Sequence, residues 1–234
     1  MGKKPTVDGT TDAVTRRRAL AVAGGTALVG LAGCTALDVA AGGPAEFSAG
    51  TATVGDATRS GTGYELNAVT EDEQTREFDA GGSTREVRVT SRTAEYDKAV
   101  ELFGERYQAA VFAALATPRV EVLGRAFNPI ADSSTDERAA LIADRYGGVD
   151  GLERGSEYTT DVLGTDAEVA VYAADGEIEG TGASVELEFH VGEPVETGAD
   201  YVLPLAAYPA SFGDGENVRS MMNGIEHEPA SADD

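Results

Sequence analysis

Tryptophan is absent from the 234 residues, aromatic residues make up 6% of them, and cysteine occurs once. One cysteine closes no intramolecular disulfide, so a fold placed in an oxidising compartment has to rest on its core. Without tryptophan, sugar stacking loses its largest aromatic platform. Positive charge is scarce as well: Lys plus Arg is 18 against an Asp plus Glu of 41, for a formal net charge of −23. No basic patch exists to neutralise phosphates, which argues against nucleic acid as a partner. Only two histidines occur, His190 and His227. Neither sits in the HExxH spacing of a zinc hydrolase, and the chain has no GxSxG nucleophile elbow. With so many acids, some carboxylate pair always falls at glycosidase spacing, so such a pair carries no signal. The residues therefore nominate no catalytic group, no cofactor and no metal ligand. His190 is expected on the wet face of a strand, and His227 in the last turn of a helix, where a cation favours the C-terminal dipole.

Long apolar runs are missing too. The longest near the start, Ala19 to Leu31, has thirteen residues, short of the ~20 that a membrane-spanning helix needs. Behind Arg16, Arg17 and Arg18 it reads as a secretory signal. Thr15-Arg16-Arg17-Arg18-Ala19-Leu20 resembles the twin-arginine consensus, with Ala19 where Phe is usual. Leu31-Ala32-Gly33-Cys34 resembles a lipobox, and the single cysteine falls where a lipobox requires it. The likeness implies that Arg16 and Arg17 are the export signal, that residues 1–33 are removed, and that Cys34 carries lipid on the outer face of the cell membrane. Met1 to Val14 holds two of the three lysines and no periodicity, and translation is expected to begin at Val14 through a GTG codon. Residues 34–45, with Gly42, Gly43 and Pro44, read as a flexible tether. Residues 46–228 are expected to form one globular domain, and 229–234 a disordered acidic tail.

Without residues 1–33 the chain keeps 13 bases and 39 acids, a net of −26, and Lys98 is its one lysine. Self-repulsion of that size strains a compact state at ordinary ionic strength, whereas at molar salt the Debye length is about 3 Å. The composition reads as that of a halophilic protein. An acidic disordered chain is the rival reading, and the 41% of hydrophobic residues, periodically placed, argue against it.

Period-two patterning dominates the domain. Phe47 to Val54 is a weak strand, and Asp56 to Gly63 a helical turn or loop. Glu73–Asp79 and Thr84–Thr90 flank Gly81-Gly82 as a hairpin. Tyr96, Val100 and Phe103 sit at weak helical spacing. Gln108 to Thr117 is an apolar run stopped by Pro118, suited to a buried central strand, with a buried helix as the alternative; Arg119–Leu123 continues it. Asn128-Pro129 marks a turn, or the rim of a partner groove. Ser134 and Glu137 form a capping-box pattern at the head of a helix ending at Tyr146, with Ala139, Ile142, Ala143 and Tyr146 on its packed face. Residues 152–208 read as a four-strand meander. In its third strand Val185, Leu187, Phe189 and Val191 point inward and Glu186, Glu188 and His190 outward. The fourth, Tyr201–Tyr208, is apolar enough for a central strand, though it contains Pro204. Glu216–Ile225 is expected as a closing helix that buries Val218, Met221, Met222 and Ile225 on the sheet.

The fold class is thus α+β, an antiparallel meander with packed helices. Its helix–meander–helix order resembles the PsbP-like α/β/α sandwich, whose members mostly bind partners. A wider resemblance rests on TRRRAL, Leu31 to Cys34, TGYE at 62–65, AEY at 94–96, AVFAALATP at 110–118, VEVLGRAFNP at 120–129, VLG at 162–164 and AAYP at 206–209. These are similar to an uncharacterised family of halophilic archaeal lipoproteins, and that likeness implies location rather than chemistry. The expected function is a surface-tethered interaction or ligand-binding module, held to the membrane by Cys34, with a protein or small molecule as partner. A membrane-anchored extracellular hydrolase is the alternative.

Overall fold

Gln108 to Thr117 has almost no polar side chain to offer water, and in the computed structural model it runs through the middle of a large sheet. The structure describes residues 45–80, 83–102, 105–122, 125–126, 129–146, 149–178 and 183–231. In chain order the elements are strands β1 (Ala45–Ser48) and β2 (Thr51–Val54), helix α1 (Asp56–Thr62), and strands β3 (Glu65–Ala80), β4 (Ser83–Leu102), β5 (Glu105–Pro118), β6 (Glu121–Val122) and β7 (Arg125–Ala126). Helices α2 (Pro129–Asp132) and α3 (Thr135–Tyr146) follow, then strands β8 (Val149–Val162), β9 (Thr165–Ile178), β10 (Ala183–Gly192), β11 (Val195–Thr197) and β12 (Asp200–Pro209). A 3-10 turn (Ala210–Phe212), helix α4 (Gly215–Asn223) and strand β13 (Ile225–Glu228) close the described chain.

The main sheet has the order β1-β4-β5-β12-β10-β9-β8, with β3 on the outer side of β4 and β11 against β12. Every pairing in it is antiparallel except β1 with β4, so the sheet is mixed. The fold is β-rich with a few helices. β8, β9, β10 and β12 form the expected meander. The β8–β9 turn is Leu163-Gly164, both at positive φ (55° and 78°), the pair of left-handed residues that lets a two-residue turn follow the twist of its strands. Pro204 is tolerated in central β12 because the ladder with β10 ends at Val191–Leu205, one residue short of it. Small sheets β2–β13 and β6–β7 complete the pairing.

Both faces of the main sheet are covered. On one, β2, α1, α4 and β13 enclose a large core that includes Tyr64, Tyr96, Phe112, Val169, Val202, Tyr208, Val218, Met221, Met222 and Ile225. On the other, α3 lays Ala139 and Ile142 over Ala170, Tyr172, Phe189 and Val191. The closing helix buries Val218, Met221 and Met222 as its spacing predicts; Ile225 is buried too, but as the first residue of β13. Burial of each such side chain is worth ~1.5–3 kcal/mol. The capping box is formed: the Glu137 carboxylate accepts the Ser134 N–H at 2.8 Å, and the Ser134 hydroxyl accepts the Glu137 N–H at 3.2 Å.

Three expectations are overturned. Tyr96 to Leu102 is strand, not helix, since residues four apart share one side of a strand as well as of a helix; Phe103 lies outside the described residues. His190 is 4% exposed, because α4 covers the side of β10 that alternation alone assigns to water. His227 lies in β13, paired with Ala52 of β2, and not in a helical turn. Asn128 is outside the described residues, and Pro129 opens the short α2.

Candidate functional site

Polar residues gather under α4. Strand alternation puts Tyr158 of β8, Glu188 and His190 of β10, and Tyr208 of β12 on the same side of the sheet. His190 lies 2.9 Å from the Tyr158 hydroxyl through Nδ1 and 2.9 Å from the Tyr208 hydroxyl through Nε2. Tyr208 donates its O–H to Glu188. A phenol that gives its proton to a carboxylate can only accept from the imidazole, so His190 carries its hydrogen on Nε2 and accepts from Tyr158 at Nδ1. The hydrogen bonds then run one way: Tyr158 to His190 to Tyr208 to Glu188. Along β10 the surroundings pass from dry to wet, with His190 buried and the Glu188 side chain 39% exposed.

The helix grips this row from above. The Arg219 guanidinium sits 4.2 Å from the centre of the Tyr158 ring, a favourable cation–π distance, and Met222 sulfur lies 3.7 Å from the Tyr158 hydroxyl. Burial holds the His190 imidazolium below the usual histidine range, the neighbouring Arg219 adds to this, and Glu188 opposes it. Burial likewise pushes the Tyr158 phenol up to about 12. It raises Tyr208 further, where the Glu188 hydrogen bond and charge act in the same direction.

Asp214, just ahead of α4, anchors a second group. Its carboxylate accepts from the Tyr64 hydroxyl at 2.9 Å, from Lys98 Nζ at 2.6 Å and from Asn217 Nδ2 at 2.6 Å. Lys98 comes from the irregularity in β4 where its register with β5 shifts, and it lies 5.5 Å from the Tyr64 ring centre. Burial and then the Asp214 charge raise the Tyr64 phenol well above its ordinary range.

A third group ties the chain ends to the sheet. Asp200 Oδ2, at the start of β12, accepts the Gly50 N–H at 2.9 Å and meets His227 Nε2 at 2.8 Å, with both side chains almost wholly buried. Gly50 is required there by close approach, since a Cβ would stand 2.2 Å from the Glu228 carbonyl oxygen. The two histidines thus serve separate clusters. Among the described residues no group of three or more His, Cys, Asp or Glu is arranged to hold a metal.

Between α1 and α4 runs a shallow groove of about 410 Å³, lined by Thr58, Gly61, Thr62, Asn217, Ser220, Asn223 and Gly224. Its wall is hydroxyls, amides and glycines, with no carboxylate although the chain has 41. Close packing of the two helices shapes it; Thr62 also donates to Met221 sulfur at 3.2 Å.

Residues 51–226 match DUF6517, a domain of unknown function. The chain belongs to the DUF6517 family. No curated protein and no solved structure matches it. The family match includes all four members of the Tyr158–Glu188 row, along with Lys98, Asp200 and Asp214, and stops one residue before His227.

Arg16, Arg17 and Cys34, the residues singled out by the export motifs, lie outside the described residues. Among those described, no helix is long and apolar enough to cross a membrane. The tyrosines and Asp214 escaped the sequence reading. Tyr158, Tyr172 and Tyr208 fit strand alternation as ordinary apolar or amphipathic positions, and nothing local marks a hydroxyl as a partner for His190. Lys98 did carry a signal, as the one lysine after Lys4.

Proposed function

We propose that this DUF6517 domain is a lipid-anchored module on the outer face of the cell membrane of a halophile, exported by the twin-arginine route, and that it binds a partner or ligand rather than turning over a substrate. Arg16, Arg17 and Cys34 supply the export and anchoring half of this reading. The observation that carries the binding half is the fate of His190. Both its ring nitrogens are taken by tyrosine hydroxyls in a buried row, so the side chain best suited to acid–base chemistry serves the fold. The groove between α1 and α4 is open and neutral, and it offers hydrogen-bonding groups without a nucleophile stronger than a hydroxyl. The α3–meander–α4 order is the part of the chain that supports a PsbP-like likeness, whose members act mainly as binding modules.

Two experiments test the reading. Cys34→Ser is expected to release the protein to the medium or leave an uncleaved precursor; an unmodified Cys34 thiol on mature wild-type protein would refute the anchor. For the binding half, cross-linked complexes recovered from native membranes in molar salt should be lost when Ser220→Arg fills the groove without lowering the melting temperature. Turnover of ester, peptide or glycoside substrates by the purified chain, abolished by His190→Gln, would instead establish a hydrolase.

A further inference from the structure

We propose that His190 is a pH-sensitive latch for α4: its neutral Nε2–H tautomer holds the helix on the sheet, and gain of a proton at Nδ1 loosens it. The argument starts from the groups that face the ring. β8 contributes Tyr158, β12 contributes Tyr208, His190's own strand contributes Glu188, and β9 places Val171 beside it. From α4 come Arg219 and Met222, both through Tyr158. Asp214 stands at the head of the helix, already engaged by Tyr64, Lys98 and Asn217. Every hydrogen-bonding atom of the row has a partner when the imidazole is neutral.

A proton from solvent, with Glu188 at the wet end of the row, upsets that arrangement at one point. Nδ1 becomes a donor and meets the Tyr158 O–H, also a donor. Tyr158 then has to turn its hydrogen toward Met222 sulfur, a weaker acceptor, and the imidazolium shares its surroundings with the Arg219 guanidinium. The compensating carboxylate, Glu188, stands 3.8 Å from Nε2 and is partly solvated. What the proton destabilises is therefore the seating of α4 on the row: its Arg219 guanidinium, held over the Tyr158 ring, now faces a second cation, and the strong Tyr158–His190 hydrogen bond is exchanged for a weak one to sulfur. Lifting α4 hydrates the imidazole and removes the conflict. It also opens the groove wall formed by Asn217, Ser220 and Asn223.

The sign follows from burial, which lowers the folded-state value of His190. The stabilisation is complete above the ordinary histidine value of ~6.5 and fades as pH falls below it. One proton taken up on opening makes the opening constant rise by up to about tenfold per pH unit in that range. Carboxylates titrate mostly lower, so pH 6.5 to 5 isolates the effect.

The test is nitrogen-15 NMR and amide exchange on the full chain in molar KCl. At pH 7.5 the His190 nitrogens should show the Nε2–H tautomer. Between pH 6.5 and 5, protection of the α4 amides, corrected for intrinsic exchange, should fall by up to about tenfold per unit, while α3 amides hold theirs. Tyr158→Phe removes the donor that makes the Nδ1 proton costly, so His190 should titrate closer to 6.5 and the α4 slope should flatten. His227→Gln should leave that slope in place. An Nδ1–H tautomer, an α4 slope that survives His190→Gln, or one that disappears in His227→Gln would overturn the proposal. If His190→Gln fails to fold, the tautomer and the Tyr158→Phe shift still decide it.

Discussion

On one face of the sheet α4 lies over Tyr158, His190 and Tyr208; on the other α3 lies over Ala170, Phe189 and Val191. The first face buries two histidine side chains, three hydrogen-bonded tyrosines and two carboxylates, Asp200 and Asp214, together with its large apolar cluster. The second is mostly apolar and has two polar ties: Arg138 donates to the Ile130 and Ser133 carbonyls and so fastens α3 to the segment before it, and the Tyr172 hydroxyl donates to Asp136 of α3. Buried polar groups are tolerable when each finds a partner and costly when one does not. The α4 face therefore specifies its arrangement through many such groups, whereas the α3 face has few and depends more on area and fit. That contrast decides how each face should fail.

Salt is the largest lever. The net charge after residue 33 is −26, and repulsion that acts over about 30 Å at 10 mM acts over about 3 Å at 1 M. A typical domain has only ~5–15 kcal/mol of stability to lose. Dialysis from molar KCl to millimolar salt is expected to loosen or unfold the domain, with the α3 face losing amide protection first because its cluster is smaller. Lowering the pH toward the sequence pI of about 4.3 should partly replace salt in that respect. A melting temperature that stays flat from 10 mM to 3 M would show that the acidic surface does not set stability.

Core truncation should separate the faces next. Met222 is fully buried, and Met→Ala in such a site costs ~2–5 kcal/mol. Ile142 on α3 is only partly buried, so Ile142→Ala should cost clearly less in the same thermal melts. Equal losses would mean that α3 is as deeply anchored as α4.

What the sequence disclosed follows the same divide. Apolar periodicity is a local signal, so the meander, the closing helix and three positions of the packed face of α3, Ala139, Ile142 and Ala143, were legible; the Tyr146 side chain lies outside the described residues. Alternation in β10 was read correctly as to which residues share a side, but it cannot say that a second helix covers the polar side. His190 was placed in water for that reason. His227 was misplaced because Gly224 ends α4 and the chain returns at once as β13, a reversal that the spacing of Val218, Met221, Met222 and Ile225 does not reveal. Nothing near Asp200 announces Gly50, 150 residues earlier, as its partner. Contacts that link distant residues through hydroxyls and backbone N–H groups leave no period to read.

The Asp200 clasp tests whether polar specification on the α4 face has energetic weight. Asp200→Ala leaves the Gly50 N–H and His227 Nε2 without their acceptor, and each unsatisfied buried donor costs about 1–3 kcal/mol. The double variant Asp200→Ala, His227→Ala should be less destabilised than the sum of the singles, because the second change removes a donor already orphaned. Additive melts would show that the two side chains act independently.

The smallest expected effect lies at the head of α3. Ser134 caps the helix through the Glu137 N–H, while the Glu137 carboxylate accepts the Ser134 N–H at 2.8 Å and its hydroxyl at 2.8 Å. Loss of a serine cap typically costs about 1 kcal/mol, so Ser134→Ala should lower the melting temperature modestly and fray the first turn. The backbone N–H and then the hydroxyl of Ser134 hold the Glu137 carboxyl below its ordinary range. A carboxylate depressed in the folded state contributes stability above its unfolded value and loses it as pH falls through the folded one. The α3 face should therefore weaken only in the carboxylate range, well below the window in which α4 responds. Amide exchange at pH 5.5 reads the difference directly: α4 loosened with α3 intact keeps the two faces distinct, while parallel loss on both would mean that one cooperative unit spans the sheet.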